Sequence, residues 1–386
     1  MSRINDLIKE LCPNGVKFDK LENVTLLRAG DRITTAMMSN SFEYDVVGGG
    51  ILPTGKYNNY NREHCITISR AGSAGFVNWK EGKFWATDVC FTAVKNNDYM
   101  NIKFIYHYLK NAQKDLQQHL YGGSMPKLEK NYLWSYLIPI PPIEIQEEIV
   151  RILDKFGELE AELEAELEAR KSQYEFWRGK LLNNDNLVII GDLLEDKGYI
   201  RGPFGSALVK ADMVFEGIPV YEQQHAIYNH RNFRYFISLD KAKKLERFSI
   251  NPNDLIISCS GTVGKVSVIS DDDPKGIINQ ALLILRLNKK LIMPKYMKYY
   301  LESPVGYRSI TSNTNKSAQV NIANREAIEK IKISVPSLEQ QKHIVNILDK
   351  FDALVNDISE GLPAEIELRR KQYEYSRNKL LSFEEL

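Results

Sequence analysis

The residues with the chemistry to catalyse or to bind a metal are few and dispersed. His225 and His230, in "QQHAIYNH" (223–230), stand five apart with no third ligand, so solvated or hydrogen-bonded imidazoles are expected there. Cys12, Cys65, Cys90 and Cys259 form no Cys-x-x-Cys pair and are expected as buried or incidental thiols. "GTVGKVS" (261–267) falls short of a phosphate-binding loop. That loop needs Gly at 259 and Ser or Thr after Lys265, where Cys259 and Val266 stand. "NPND" (251–254) is not the Asn/Asp-Pro-Pro-aromatic signature of an amino-methyltransferase, and no GxGxxG fingerprint occurs. No acidic pair followed by Glu-x-Lys suggests a nuclease. Catalysis by the chain itself is not expected.

Groups that read nucleic acid are present instead. Base edges are read by Arg, Lys, Asn, Gln, Ser and Thr, and phosphates by Lys, Arg, hydroxyls and backbone N–H. "ISRAGSAG" (68–75) offers Arg70 and Ser73; "ISCSGTVG" (257–264) and the next residue offer Ser260, Thr262 and Lys265. Gln223 and Gln224 are adjacent in "YEQQH" (221–225), and Gln can pair bidentately with adenine. "YGGSMPK" (121–127) carries Tyr121, Ser124 and Lys127, and "NTNKSAQ" (313–319) carries Asn313 and Lys316. Each loop alone is ordinary polar surface. Their recurrence at matched positions makes them candidate DNA contacts.

Those positions match because the chain is duplicated. "IVRILDKF" (149–156) returns as "IVNILDKF" (344–351), seven of eight residues identical. Upstream, "LIPIPPIEIQEE" (137–148) answers "KISVPSLEQQKH" (332–343); downstream, "RKSQYEFWRGKLL" (170–182) answers "RRKQYEYSRNKLL" (369–381). The downstream offset is larger by four, so the second copy is four residues longer. In both halves an apolar strand ending in Ser runs into two glycines three apart, which reads as a turn. The expected organisation is 1–142 and 183–336 as variable blocks, with 143–182 and 337–386 as spacer helices.

Charge follows the same division. The net charge of +1 over 386 residues resolves into +4 for 1–142, −5 for 143–182, +5 for 183–336 and −3 for 337–386. Mildly basic blocks permit a polyanionic partner. No apolar run approaches a bilayer span, and "MSRINDLIKELCPNG" has no signal-peptide core, so a soluble cytoplasmic protein is expected.

The helices must place the blocks. Ile149, Ile152, Phe156, Leu159, Leu163 and Leu167 step by threes and fours, a heptad seam with one stutter; Ile344, Ile347, Phe351, Leu354 and Ile358 repeat it. About forty residues span roughly 60 Å, and a bare Leu seam needs a partner. The other copy, packed antiparallel, is the expected one. Gly361 and Pro363, in "GLPAE" (361–365), should kink or break the second helix.

These features resemble the specificity subunit of type I restriction-modification systems. The likeness rests on the block–helix–block–helix order, the "P-S-L-E-Q-Q" and "I-V-x-I-L-D-K-F" helix starts, the "Q-Y-E-x-x-R-x-K-L-L" ends and "GYIRGPFGSAL" (198–208). It covers essentially the whole chain. It implies an α+β fold with two mixed α/β target recognition domains joined by two long helices in an antiparallel coiled coil, as a pseudo-twofold tandem repeat. It further implies that each domain reads one half of a bipartite, asymmetric target in double-stranded DNA, and that the helices dock two modification (methyltransferase) subunits. Through those, restriction (translocase/endonuclease) subunits join. S-adenosylmethionine would sit in the modification subunit and ATP with Mg in the restriction subunit, with no cofactor bound directly by this chain. A coiled-coil scaffold whose ends bind proteins is the alternative, and it predicts no salt-sensitive, sequence-selective DNA binding.

Overall fold

A computed structural model describes residues 2–311, 322, 324–357 and 359–386 of the chain. Asn313, Lys316 and Ile358 lie outside the described residues. The chain divides into two compact units, Met1–Glu164 with Glu365–Leu386 (unit one) and Ala165–Ala364 (unit two).

Unit one opens on helix Ser2–Leu11 and is built on strands β1 (Lys17–Lys20), β2 (Thr25–Ala29), β3 (Tyr44–Val47), β4 (Gly55–Tyr57), β5 (Arg62–Ser69), β6 (Val77–Ala86), β7 (Cys90–Lys95), β8 (Leu120–Tyr121), β9 (Lys127–Leu128) and β10 (Leu137–Ile140). Six strands form one sheet in the order β2-β7-β5-β6-β3-β4. Only the β3–β6 pair in it is parallel. One face is covered by helix Ile102–Asn111, whose buried Phe104, Ile105 and Leu109 recur at helical spacing. Asn101 caps that helix through its side-chain oxygen.

Unit two repeats this frame with β11 (Leu187–Ile189), β12 (Leu194–Arg201), β13 (Met213–Val214), β14 (Ile218–Tyr221), β15 (Phe236–Ile237), β16 (Leu255–Ser258), β17 (Val266–Val268), β18 (Ile277–Ile278), β19 (Leu282–Leu287) and β20 (Lys332–Ser334). The order β12-β19-β16-β17 is that of β2-β7-β5-β6. Strand β6 has no single counterpart. Its place is split between β17 and β18, and the parallel pair β14–β18 belongs to a second sheet, β13-β15-β14-β18. The covering helix here is Pro294–Glu302, with Pro at its first position.

The long helix Ile143–Leu181 gives its first part to unit one and its second to unit two. Its Leu, Ala, Glu and Lys are strong helix formers, and ion pairs one turn apart line it, such as Arg170–Glu166 at 3.3 Å and Lys171–Glu168 at 2.8 Å. The return helix runs from Leu338 to Asn356, and the chain restarts as helix Leu362–Leu380. Pro363 thus sits in a first turn, where its missing N–H breaks no ladder bond. The break expected at "GLPAE" is therefore real.

Helix pairing inside each unit is antiparallel, and one contact recurs. In unit one Phe156 meets Tyr373 at a ring distance of 6.0 Å; in unit two Phe351 meets Tyr174 at 6.2 Å. Arg377 and Arg178 lie over the two tyrosine rings, at 5.2 and 5.1 Å. Of the expected seam, Ile149 and Ile344 are buried, while Ile152, Phe156, Leu163, Leu167, Ile347 and Phe351 are half-buried. Leu159 is 36% and Leu354 38% exposed. Leu153 and Leu348, one position beyond Ile152 and Ile347, are fully buried against the covering helices' cores.

Candidate nucleic-acid interface

Each candidate surface begins at a strand end that two glycines turn. In unit one the turn after β5 is closed by Ser69 N–H to Phe76 C=O (2.9 Å) and Gly75 N–H to Ser69 C=O (2.8 Å). In unit two the equivalents are Ser258 N–H to Lys265 C=O (3.0 Å) and Gly264 N–H to Ser258 C=O (2.9 Å). All four glycines, Gly72, Gly75, Gly261 and Gly264, have φ between +65° and +82°, a region in which a Cβ is strained. A returning segment then seals the turn: Leu128 N–H donates to Arg70 C=O (2.8 Å), and Ile322 N–H to Cys259 C=O (3.2 Å). Arg70 and Cys259 occupy the same place in the repeat. The frame is held by backbone, so the side chains on it are free to differ.

In unit one this joins two candidate stretches. Ala71 and Lys127 form a β-bridge, and β8 pairs with β9, so Arg70 and Ser73 share a surface with Tyr121, Ser124 and Lys127. Tyr121, Ser124 and Lys127 are exposed; Arg70 and Ser73 are half-buried. The Arg70 guanidinium lies 5.7 Å from the Phe91 ring centre. A third loop joins them unforeseen: Ser73 N–H donates to Gly49 C=O (2.7 Å), which brings Ile51 (59% exposed) and Leu52 (77%) beside the turn. The glycine run "GGGILPTG" (48–55) was the signal that could have found it.

In unit two Gln223 comes next to the turn, its amide about a van der Waals contact from where a Cβ on Gly261 would stand. Its Oε1 is buried with no hydrogen-bond partner among the described residues. Gln224 is engaged, donating to Glu222 at 3.2 Å. Glu222 is itself buried and held bidentately by Arg234, at 2.8 Å through both Nε and Nη2. Ser260 is half-buried; Thr262 and Lys265 are exposed. Sequence reasoning missed Arg201 and Phe204. Arg201 stands over Phe204 at 5.6 Å, its Nη1 is buried without a partner among the described residues, and Phe204 is 63% exposed.

His225 is fully buried. Its Nδ1 takes the Glu222 backbone N–H at 2.7 Å, and Nε2 lies 3.1 Å from Asn232 C=O. Burial pushes its pKa down, and those backbone contacts partly oppose the shift. It is a structural imidazole. The four cysteines are buried and free; burial raises the Cys65 and Cys90 thiols to about 12. They are inert at neutral pH. No cluster of His, Cys, Asp and Glu able to hold a metal occurs among the described residues.

Two buried glutamines tie the sheet-bearing part of each unit to its helices, and neither was singled out from sequence. Gln146 accepts from Asn101 N–H (2.7 Å) and donates to Tyr99 C=O (2.9 Å) and Pro141 C=O (2.7 Å). Gln341 repeats all three: Met293 N–H (2.8 Å), Leu291 C=O (3.1 Å) and Pro336 C=O (2.8 Å). Two turns onward, Asp154 takes His107 Nε2 at 2.8 Å, and Asp349 takes Tyr299 Oη at 2.6 Å.

Two α+β units, each carrying a backbone-framed loop cluster clamped to an antiparallel helix pair, define a duplicated binding protein. The family of the type I restriction modification DNA specificity domain matches at residues 13–169 and 205–368, and the chain belongs to that family. It is 33% identical over 332 residues to a putative type I restriction enzyme specificity subunit of Haemophilus influenzae, covering 82% of each chain. It is 30% identical over 298 residues to a type I restriction enzyme specificity subunit of Escherichia coli, covering 73% of this chain and 71% of that one. A type I restriction-modification S subunit from M. genitalium shares the fold, with a TM-score of 0.61 at 16% identity over 96% of this chain and 97% of that one. Among the described residues no helix is long and apolar enough to cross a membrane.

Proposed function

We propose that this chain is the non-catalytic, cytoplasmic reader of a type I restriction-modification complex. Residues 1–142 and 183–336 act as target recognition domains, each reading one half of a bipartite, asymmetric DNA sequence. The helices 143–182 and 337–386 set the gap and dock two modification subunits, which bring S-adenosylmethionine, and through them the restriction subunits with ATP and Mg. The observation that carries this reading is the shared backbone frame around Gly72/Gly75 and Gly261/Gly264, holding different side chains in each unit. A fixed frame with variable readers is what two unlike half-sites require. In unit one, Arg70, Ser73, Tyr121, Ser124 and Lys127 are the reading groups. In unit two they are Gln223, Gln224, Ser260, Thr262 and Lys265, joined by Arg201. Docking of two like subunits is supported by Phe176 and Tyr375, which hold equivalent helix positions and are 64% and 66% exposed.

The test is a map of N6-methyladenine in cells carrying or lacking the gene for this chain. A bipartite methylated motif dependent on it is expected. Exchanging residues 70–75 and 121–127 for those of a relative should change one half of that motif alone. If no bipartite motif depends on the chain, the reading falls.

A further inference from the structure

The repeat places an open groove in unit two where unit one has a filled one. In unit two the end of the long helix and the start of the return helix enclose about 570 Å³, bordered by Trp177, Lys180, Leu181, His343 and Ile344. The equivalent residues in unit one are Ser376, Lys379, Leu380, Glu148 and Ile149. There, helix Ser2–Leu11 occupies the place. Ile4 is fully buried in the core that holds Ile145, Ile149, Leu380 and Leu381, with Leu7 and Ile8 packed against it. Ile8 and Cys12 border Phe383 at the far end. In unit two only residues 182–186 separate the long helix from β11, too few to form such a helix before that strand.

We propose that the unit-two groove docks one amphipathic helix of a partner protein. It would be about three turns long, with aliphatic residues spaced as Ile4, Leu7 and Ile8 and an acidic first turn. The filled groove shows that this geometry seats a helix by its i, i+3, i+4 face. The rims set the sign of its charge. In unit one Glu144, Glu147 and Glu148 stand at the helix start; Arg151 of the same helix pairs with Glu148 at 2.7 Å, and Arg3 of the seated helix adds a second positive charge beside it. In unit two the same positions are Glu339, Lys342 and His343. Replacing two carboxylates by a lysine and a histidine removes the need for a cation and favours a carboxylate. A carboxylate also suits the positive start of the incoming helix.

The proposal concerns the helical base rather than the loops, so it stands or falls separately from DNA reading. The probe is a labelled synthetic peptide of residues 2–11 carrying Arg3→Glu, titrated by fluorescence anisotropy into the full chain. The unaltered peptide runs beside it. Saturable binding is expected, at least about tenfold tighter for the Arg3→Glu peptide. Trp177→Arg, at a half-exposed wall position, should abolish it, and His343→Glu should reverse the preference between the peptides. No saturable binding, equal affinity for both peptides or indifference to Trp177→Arg overturns the proposal. So does concentration-dependent dimerisation that Trp177→Arg abolishes, because a second copy would then be the occupant. DNA binding by the same preparation, read in parallel, reports on the loops alone.

Discussion

Asp154 of unit one and Asp349 of unit two stand at the same place in the "ILDKF" repeat, yet they are answered by different chemistry. Asp154 accepts from the buried His107 and lies 3.5 Å from Lys103 Nζ; Asp349 accepts from Tyr299 and pairs with Lys295 at 2.8 Å. Eight residues upstream, Gln146 and Gln341 make the same three bonds to the same three backbone positions. The difference separates what the scaffold must keep from what it tolerates. Backbone partners cannot be changed by mutation of the covering helix, so the glutamine that serves them stays one residue type in both units. A side-chain partner can be exchanged if hydrogen-bond reach and burial are preserved, and here His and Tyr are interchangeable.

The strongest way to break the comparison is to remove the glutamines. Gln146→Ala leaves one buried N–H and two C=O groups without their partner, and Gln341→Ala does the same. Each should cost on the order of 3 kcal/mol, after partial hydration, within its own unit. Chemical denaturation read by hydrogen exchange separates the units. Similar losses, each confined to the mutated half, are expected. A loss in one unit only would show that the equivalent geometry is not equivalent energetically.

The aspartate clamps should respond to opposite ends of the pH scale. The Asp154 carboxyl is held below its ordinary value of 3.8, first by the His107 hydrogen bond, against the cost of burial. A depressed carboxyl contributes stability that is present above 3.8 and fades as pH falls through the lowered value. Tyr299 is shifted the other way, first by burial and then by its bond to Asp349, well above its ordinary 10. A raised phenol contributes stability that is complete below pH 10 and fades as pH rises beyond it. Asp154→Asn should therefore flatten the acid limb of unit one, and Tyr299→Phe the alkaline limb of unit two. Stability profiles of the two variants against pH check this. Matching changes in both units from either variant would refute the assignment.

The tandem order, the glycine turns and the break at Pro363 were legible because each is local: a spacing, a φ requirement, a missing N–H. Antiparallel pairing of the helices followed from the seam and from the need to cover it, but the recurring Phe–Tyr contact did not. The glutamine and aspartate clamps were not legible, although they lie inside the most obvious repeat. Apart from the Pro141 and Pro336 carbonyls, five positions back, their partners come from residues 45 to 54 positions away, and no local pattern says which buried polar group finds which. Helix Ser2–Leu11 is similar: its stretch was legible only as lacking a signal-peptide core, and nothing local says that Ile145, Ile149 and Leu380 receive its Ile4. Arg201 lay in a quoted motif, yet only burial without a partner singles it out.

A smaller effect tests the helices as a spacer. Deleting Leu163–Glu166 removes four residues of the long helix, about 6 Å of rise. The half-sequences should stay the same, while the preferred gap shortens by roughly two base pairs. Methylation mapping reads both at once. A change in either half-sequence would count against the separation of reader from spacer.

The smallest expected effect lies at Arg370 and Lys171, equivalent positions with unlike partners. Arg370 crosses to the other helix of unit one, meeting Glu160 at 2.6 Å and also Glu164. Lys171 stays on its own helix with Glu168. Both side chains are nearly half exposed, at 47% and 46%, so solvent screening dominates and neither pair can be worth much. Arg370→Ala should lower the stability of unit one by less than about 1 kcal/mol. That loss should shrink in high salt, because it is electrostatic. Lys171→Ala, losing one intrahelical pair and gaining helix propensity, should change unit two by less than about 0.5 kcal/mol. Paired denaturation curves at low and high salt would decide it: a salt-independent loss at Arg370 would mean that its aliphatic stem, packed across the helix crossing, matters more than its charge.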